Sequence, residues 1–308
     1  MAAFTSVADL CQWLERLAPL DLSESWDNTG LLLGDPAASV ERLMTCLTLT
    51  PSSVAEAIES RAQMVVAHHP LPFKPISKLT TDSQTGRMLW GLARAGISVY
   101  SPHTAWDSAG RGINARLAEL LELKDCQPIV PQRSMSQLSG IVSETMASGT
   151  VVSHPSSNQT QSAVTHLDKG EAFATPSGAV GAGRIGALPE PASLHDLTSK
   201  LSQRVADCRP RGVNSGQLIR HVAIACGSGG SLLEAALATG KCDLFLTGEG
   251  TFHTCLEAQA AGISLLMIGH FASERFAMVQ MAAELQQTYP QLSVWASRQE
   301  RDPVENLA

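Results

Sequence analysis

Met64-Val65-Val66-Ala67-His68-His69-Pro70 decides how this chain is read. Four apolar residues end abruptly in two adjacent imidazoles. A short apolar run of this kind reads as a buried strand, which sets His68 and His69 at its carboxyl end. In open α/β sheets, ligands bind beyond that end of the strands. Other ligand-type residues should then arrive at the same edge.

Working outward, apolar runs and helix-period segments alternate. Val7, Leu10, Cys11, Leu14 and Leu17 fall at helical spacing and predict an amphipathic first helix. Trp26-Asp27-Asn28 ahead of Gly30 is turn chemistry, and Leu31–Leu33 reads as a strand. Strands follow at Met44–Thr50, at the His68-His69 run and at Ile97–Tyr100, with helices over 52–62 and 85–95 between them. Ile113–Leu121 reads as a helix. Further on, strands are predicted at His221–Cys226, Asp243–Thr247, Ile263–Ile268 and Leu292–Trp295, separated by helices over 231–238, 252–261 and about 273–289. Such alternation predicts an α/β fold with largely parallel strands.

Four apolar strands each end in residues suited to metal or proton chemistry: His68-His69, His103 with Asp107, Glu249 with His253, and His270 with Glu274. Any one alone has a structural explanation. A histidine after a strand serves as a hydrogen-bonded turn residue, and Glu249 or Glu274 favours the first turn of a helix. The recurrence at one edge points to function. Imidazoles and carboxylates hold borderline divalent ions such as Zn, Mn, Fe, Co or Ni. Neighbouring extended side chains diverge, so adjacent histidines fit two ions side by side better than one, with a carboxylate able to bridge them. His270 and Glu274, four apart at a helix start, share a face. His103 and Asp107 have the same separation, but Pro102 favours a loop there. Gly227-Ser228-Gly229-Gly230 is either a weak phosphate cradle or a tight turn needing positive φ. No Gly-x-Ser-x-Gly elbow is present, which speaks against a serine hydrolase.

Bulk properties narrow the class. The 308 residues are 44% apolar and 17% charged, as in ordinary globular proteins. A net charge of −7 argues against general nucleic-acid binding. Seven cysteines, odd in number and without C-x-x-C spacing, suit reduced thiols in the cytoplasm rather than a disulfide framework. No apolar run is long enough to span a membrane. Residues 134–182, rich in Ser, Thr, Gly, Gln and Ala without periodicity, read as a flexible insertion.

The motifs together resemble the NGG-interacting-factor-like (Nif-three-like) family, often described as type 2 GTP cyclohydrolase I homologues. The resemblance runs through Trp26-Asp27-Asn28-Thr29-Gly30-Leu31, His68-His69-Pro70 and His103-Thr104-Ala105-Trp106-Asp107. It resumes at Gly183-Arg184-Ile185-Gly186, Gly227-Ser228-Gly229, Thr247-Gly248-Glu249 with His253, and Gly269-His270 with Glu274. It implies two divalent metal ions per subunit on His68, His69, Asp107, His270 and Glu274, with His103, Glu249 and His253 nearby. It also implies two similar α/β lobes with the dinuclear site in the cleft between them. The lobes would be 1–125 plus about 255–308, and about 126–254 with the insertion inside it. A ring-like homohexamer is implied as well.

The expected function is a metal-dependent hydrolase of a small polar, nucleotide-like substrate, with Glu249 or His253 moving a proton from metal-activated water. The alternative is a metal-binding regulatory or scaffold protein acting through its oligomer and protein partners.

Overall fold

The structure is a computed structural model that describes residues 4–132 and 179–305. The first half runs β1 (Thr5–Ser6), α1 (Val7–Leu17), β2 (Gly30–Leu33), β3 (Ser39–Val40), β4 (Arg42–Cys46), α2 (Pro51–Glu59), β5 (Met64–Ala67), α3 (Gln84–Arg94), β6 (Ser98–Ser101), α4 (His103–Ser108) and α5 (Ile113–Leu120). Then follow β7 (Lys124–Gln127), β8 (Val130–Pro131), β9 (Gly181–Ala182), β10 (Arg184–Ala192), α6 (Leu194–Arg204), β11 (Arg211–Val213) and β12 (Ile219–Ala225). The chain closes with α7 (Leu233–Ala238), β13 (Leu244–Thr247), α8 (Phe252–Ala260), β14 (Ser264–Met267), α9 (His270–Thr288) and β15 (Ser293–Ala296).

Two mixed sheets carry the fold. The five-stranded sheet has the order β15-β4-β5-β6-β2, parallel except for β2 at its edge. The six-stranded sheet has the order β11-β14-β13-β12-β10-β7, with β12, β13 and β14 parallel and the outer strands antiparallel. The parallel strands are the apolar runs legible in the sequence, buried on both faces as helix-covered strands must be. Ser264–Met267, assigned from sequence with the first lobe, pairs with β13 in the six-stranded sheet.

Helix starts follow local chemistry. Ser6 caps α1 in a reciprocal capping box with Asp9, and Thr50 does the same for α2 with Ser53. The strand expected over Met44–Thr50 closes earlier, at Cys46, and Thr50 serves as the cap of α2. The loop expected at His103–Asp107 is a helix instead. Asp27, fully buried on its side chain, accepts from the Thr104 N–H at 3.2 Å and the Thr104 hydroxyl at 2.5 Å, satisfying donors that α4 leaves open. Of the expected insertion, residues 134–178 lie outside the described residues. Its end, Gly181–Ala182, pairs with Val130–Pro131. Arg184 just beyond it is buried and donates to the carbonyls of Gly181, Gly183 and Ala109, tying β10 to the end of α4.

Helix α9 joins the two halves. Ala277, Met278, Met281 and Leu285 pack in the core with Leu43, Met64 and Val66, and the Thr45 hydroxyl donates to the Met278 carbonyl at 2.8 Å. Ala272, in its first turn, lies instead with Leu244, Leu246, Leu266 and Ile268 of the six-stranded sheet. No helix among the described residues is long and apolar enough to cross a membrane.

Candidate metal centre

The carboxyl ends of β5, β13 and β14 and the helices α4 and α9 bring the predicted residues together. His68 and His69 follow β5, held by backbone bonds to the carbonyls of Cys46 and Leu47. Their rings are only 5.0 Å apart and tilted by 49°; rather than diverging, as expected of adjacent extended residues, both turn Nε2 toward Glu274. His68 is fully buried and turns Nε2 toward Asp107 Oδ1 at 3.6 Å and Glu274 Oε1 at 4.0 Å. His69 turns Nε2 toward Glu274 Oε2 at 3.2 Å, and His270 Nε2 stands 3.1 Å from the same oxygen. Three triads have ligand atoms close enough to share an ion: His68, Asp107 and Glu274; His69, His270 and Glu274; and His68, His69 and His103.

Supporting residues orient these rings. The Thr48 hydroxyl is 2.7 Å from His69 Nδ1, and Asp27 Oδ1 is 2.7 Å from His103 Nδ1. Each contact leaves Nε2 as the nitrogen available to the centre, the usual device for fixing a ligating imidazole. Glu249, at the end of β13, accepts from the Ser228 hydroxyl at 3.0 Å and lies 3.3 Å from His270 Nδ1. Glu249 is thus beside the centre but in none of the triads. His253 is exposed on α8 with its ring against Phe252 and also joins none of them. Asp27, Thr48 and Ser228 lack a ligand-type signal in the sequence. Asp27 stands in the Trp26-Asp27-Asn28 run, which reads as a turn and as a motif of the family resemblance but carries no site role there.

Burial and mutual charge shift the titration of four groups in the cluster. Burial drives the His68 pKa well below its ordinary value, against the pull of Glu274. Burial, then the Glu274 and Asp27 carboxylates, push Asp107 well above the usual carboxylate range. For Glu274 burial acts in the opposite sense, but His270, His69 and His68 outweigh it and hold the carboxyl low. For His270 burial opposes protonation, yet Glu274 and Glu249 push its pKa up to about 9.

The residues present fit a metal on geometry as well. Two ligands of one tetrahedral ion, with bonds of about 2.0–2.2 Å, stand about 3.3–3.6 Å apart. The N···O separations here, 3.1 to 4.0 Å, bracket that spacing. Asp107 Oδ1, His270 Nε2 and Glu274 Oε2 are buried without a hydrogen-bond partner, although Asp107 Oδ1 stands 3.6 Å from His68 Nε2 and His270 Nε2 stands 3.1 Å from Glu274 Oε2. Buried polar atoms left so call for an ion or another partner.

Gly227 is shaped to this cluster rather than to a phosphate. Its φ is +61°, and a Cβ there would stand 2.2 Å from Glu274 Oε1. Its N–H is taken by the Ser273 hydroxyl at 2.9 Å. The glycine turn therefore makes room for the carboxylate.

Fold and cluster together define an α/β protein with a histidine–carboxylate centre able to hold divalent ions. The sequence profile of the Duf34/NIF3 (NGG1p interacting factor 3) family matches residues 5–303. The chain belongs to that family. A Clostridium perfringens relative named GTP cyclohydrolase 1 type 2 homolog is 27% identical over 96% of this chain and 98% of its own length. A Schizosaccharomyces pombe relative named Protein NIF3 homolog is 32% identical over 82% of this chain and 79% of its own. Among solved structures, Staphylococcus aureus protein SA1388 matches with a TM-score of 0.75 at 26% identity, covering 98% of this chain and 99% of that one. A Bacillus cereus protein related to NIF3 matches in fold with a TM-score of 0.77 at 22% identity, over 99% and 100%.

Proposed function

We propose that the chain is a dinuclear metal-dependent hydrolase of a small polar, nucleotide-like substrate. The observation that carries this is the placement of Glu274. Its Oε1 faces His68 and its Oε2 faces His69 and His270, so one carboxylate serves two adjacent ligand sets. His68 with Asp107 would hold one ion, and His69 with His270 the other. Bound divalent ions supply Lewis acidity and a water of lowered pKa. The chain's own residues do the rest. Thr48 keeps His69 in register, Asp27 does the same for His103, and Glu249 is positioned to hold a proton at Oε2 beside Ser228 and His270. We place proton transfer on Glu249 rather than on His253, whose ring packs on Phe252.

On this reading the two sheets form two lobes and the centre lies in the cleft. The division follows strand pairing, with about 4–121 and 270–305 in one lobe and about 122–269 in the other. The name of the C. perfringens relative supports purine ring-opening among the reactions to try. Assembly into a ring-like hexamer and residence in the cytoplasm complete the proposal.

The test is metal analysis of the purified protein, followed by turnover of phosphoesters, nucleotides and GTP with Mn or Zn. Two equivalents of metal in the wild type, lost on Glu274→Gln, and turnover abolished by Asp107→Ala with the oligomer intact are the expected results. A metal-free, folded wild type overturns the proposal. Full metal without turnover of any substrate class favours the regulatory alternative.

A further inference from the structure

A cavity of about 670 Å³ opens beside the centre, within the roughly 300–1,000 Å³ typical of small-molecule sites. His69, His270 and Glu249 line it on the centre's side, and Arg209 and Arg211 line it as well. The arginines arrive there through strand register. The Arg209 N–H donates to the Ile268 carbonyl at 3.0 Å, and Arg211 pairs with Met267 across the antiparallel β11–β14 ladder. Both therefore sit beside Gly269-His270, the turn that delivers a centre residue.

The charges on the cavity wall are unequally committed. Glu249 is engaged with Ser228 and His270, and Asp302 accepts the Val304 N–H at 2.9 Å. Arg209 gives one Nη1 hydrogen bond to the Val304 carbonyl, which leaves Nε and Nη2 with no partner among the described residues. Arg211 makes no side-chain hydrogen bond or ion pair among the described residues, and it is exposed to the cavity. A guanidinium presents a planar fork of donors that matches an oxyanion.

We propose that Arg211, with the spare donors of Arg209, forms an anion subsite that takes the phosphate or carboxylate of a small molecule whose other end reaches His69 and His270. The inference rests on the centre being the reacting end, and it adds the charge class of the substrate.

The test measures binding of inorganic phosphate and of succinate by calorimetry, using the full chain both metal-loaded and chelator-treated. Chelation removes direct metal–anion contact and isolates the arginine wall. Arg211→Gln should weaken the preferred anion about 10-fold or more in both forms. Arg211→Lys, which keeps the charge but loses the fork, should fall between. Metal content should be unchanged in both variants. The anion that binds more tightly identifies the group. Equal affinity in Arg211→Gln and wild type, or no binding of either anion at millimolar concentration, overturns the subsite. Failure of the metal reading would show separately, as a wild type without metal whose anion binding still depends on Arg211.

Discussion

Replacing Gly227 by alanine isolates the contact that shapes the centre. Two costs act at this position. The first is backbone strain, about 1–2 kcal/mol for an L-residue at left-handed φ. The second is steric, because the new Cβ would stand 2.2 Å from Glu274 Oε1 and 3.2 Å from His270 Nε2. A tolerable carbon–oxygen approach is about 3.3 Å, so the carboxylate must retreat by about 1 Å. Metal–ligand distances tolerate only about 0.2 Å. Gly240 supplies the control, since its φ is +66° and a Cβ there meets nothing within 4 Å. Gly240→Ala should therefore lose about 1–2 kcal/mol of stability and keep its metal. Gly227→Ala should lose at least as much and also bind metal about 100-fold more weakly or worse. The assay is the melting temperature with and without added Zn or Mn, since an ion bound only by the native state raises it. A metal-induced rise in Gly227→Ala equal to that in Gly240→Ala would refute the reasoning.

Three further outcomes are expected. Thr48→Val removes the 2.7 Å contact to His69 Nδ1 and should weaken metal binding about 10- to 100-fold in chelator competition; unchanged affinity would show that Thr48 does not orient the ring. Asp27→Asn should destabilise by about 1–3 kcal/mol, because Asp27 joins His103 to the start of α4. Burial raises the Asp27 pKa, but His103 and Thr104 outweigh it and bring it down to about 2, so its contribution is full above 3.8 and fades as pH falls toward 2. A denaturation series in which the wild-type advantage persists at the acid end would contradict this. Glu56 accepts from Ser297, Trp295 and the Arg298 and Gln299 N–H groups, which outweigh burial and lower its pKa from 4.5. Glu56→Gln should melt lower than wild type at neutral pH, with the gap closing as pH drops below 4.5, and a gap constant with pH would count against the assignment.

What the sequence reveals of this molecule depends on how local each signal is. The apolar runs ending at Ala67, Thr247 and Met267 are legible because parallel strands are buried on both faces. Their termini bring His68, His69, Glu249 and His270 to one neighbourhood, as expected from the runs alone. β10 is not legible, because Arg184–Ala192 contains Pro189 and Pro191 and lacks alternation, and its ladders with β12 and β7 make it a strand. α4 escapes for a similar reason. Its first turn depends on Asp27, 77 residues earlier than Thr104, which no periodicity records. Arg209 and Arg211 reach the cavity through antiparallel register with β14, a non-local pairing. His253 shows the converse: its place shortly after the Asp243–Thr247 strand and Glu249 suggests a partner for the site, yet the residue is exposed on α8.

Helix α9 makes the site a mechanical link between the two sheets. Its body is anchored in the core of the five-stranded sheet, the sheet that also supplies His68 and His69. Its start, which carries His270 and Glu274, instead packs through Ala272 on the six-stranded sheet, so the ligand set is drawn from both sheets. Glu249 and Arg211 stand on strands of the other sheet. A displacement of one sheet against the other would therefore move His270 and Glu274 relative to His68 and His69. Grip on the ion is thereby coupled to the spacing of the sheets, so a bound ion would act as a clamp between them.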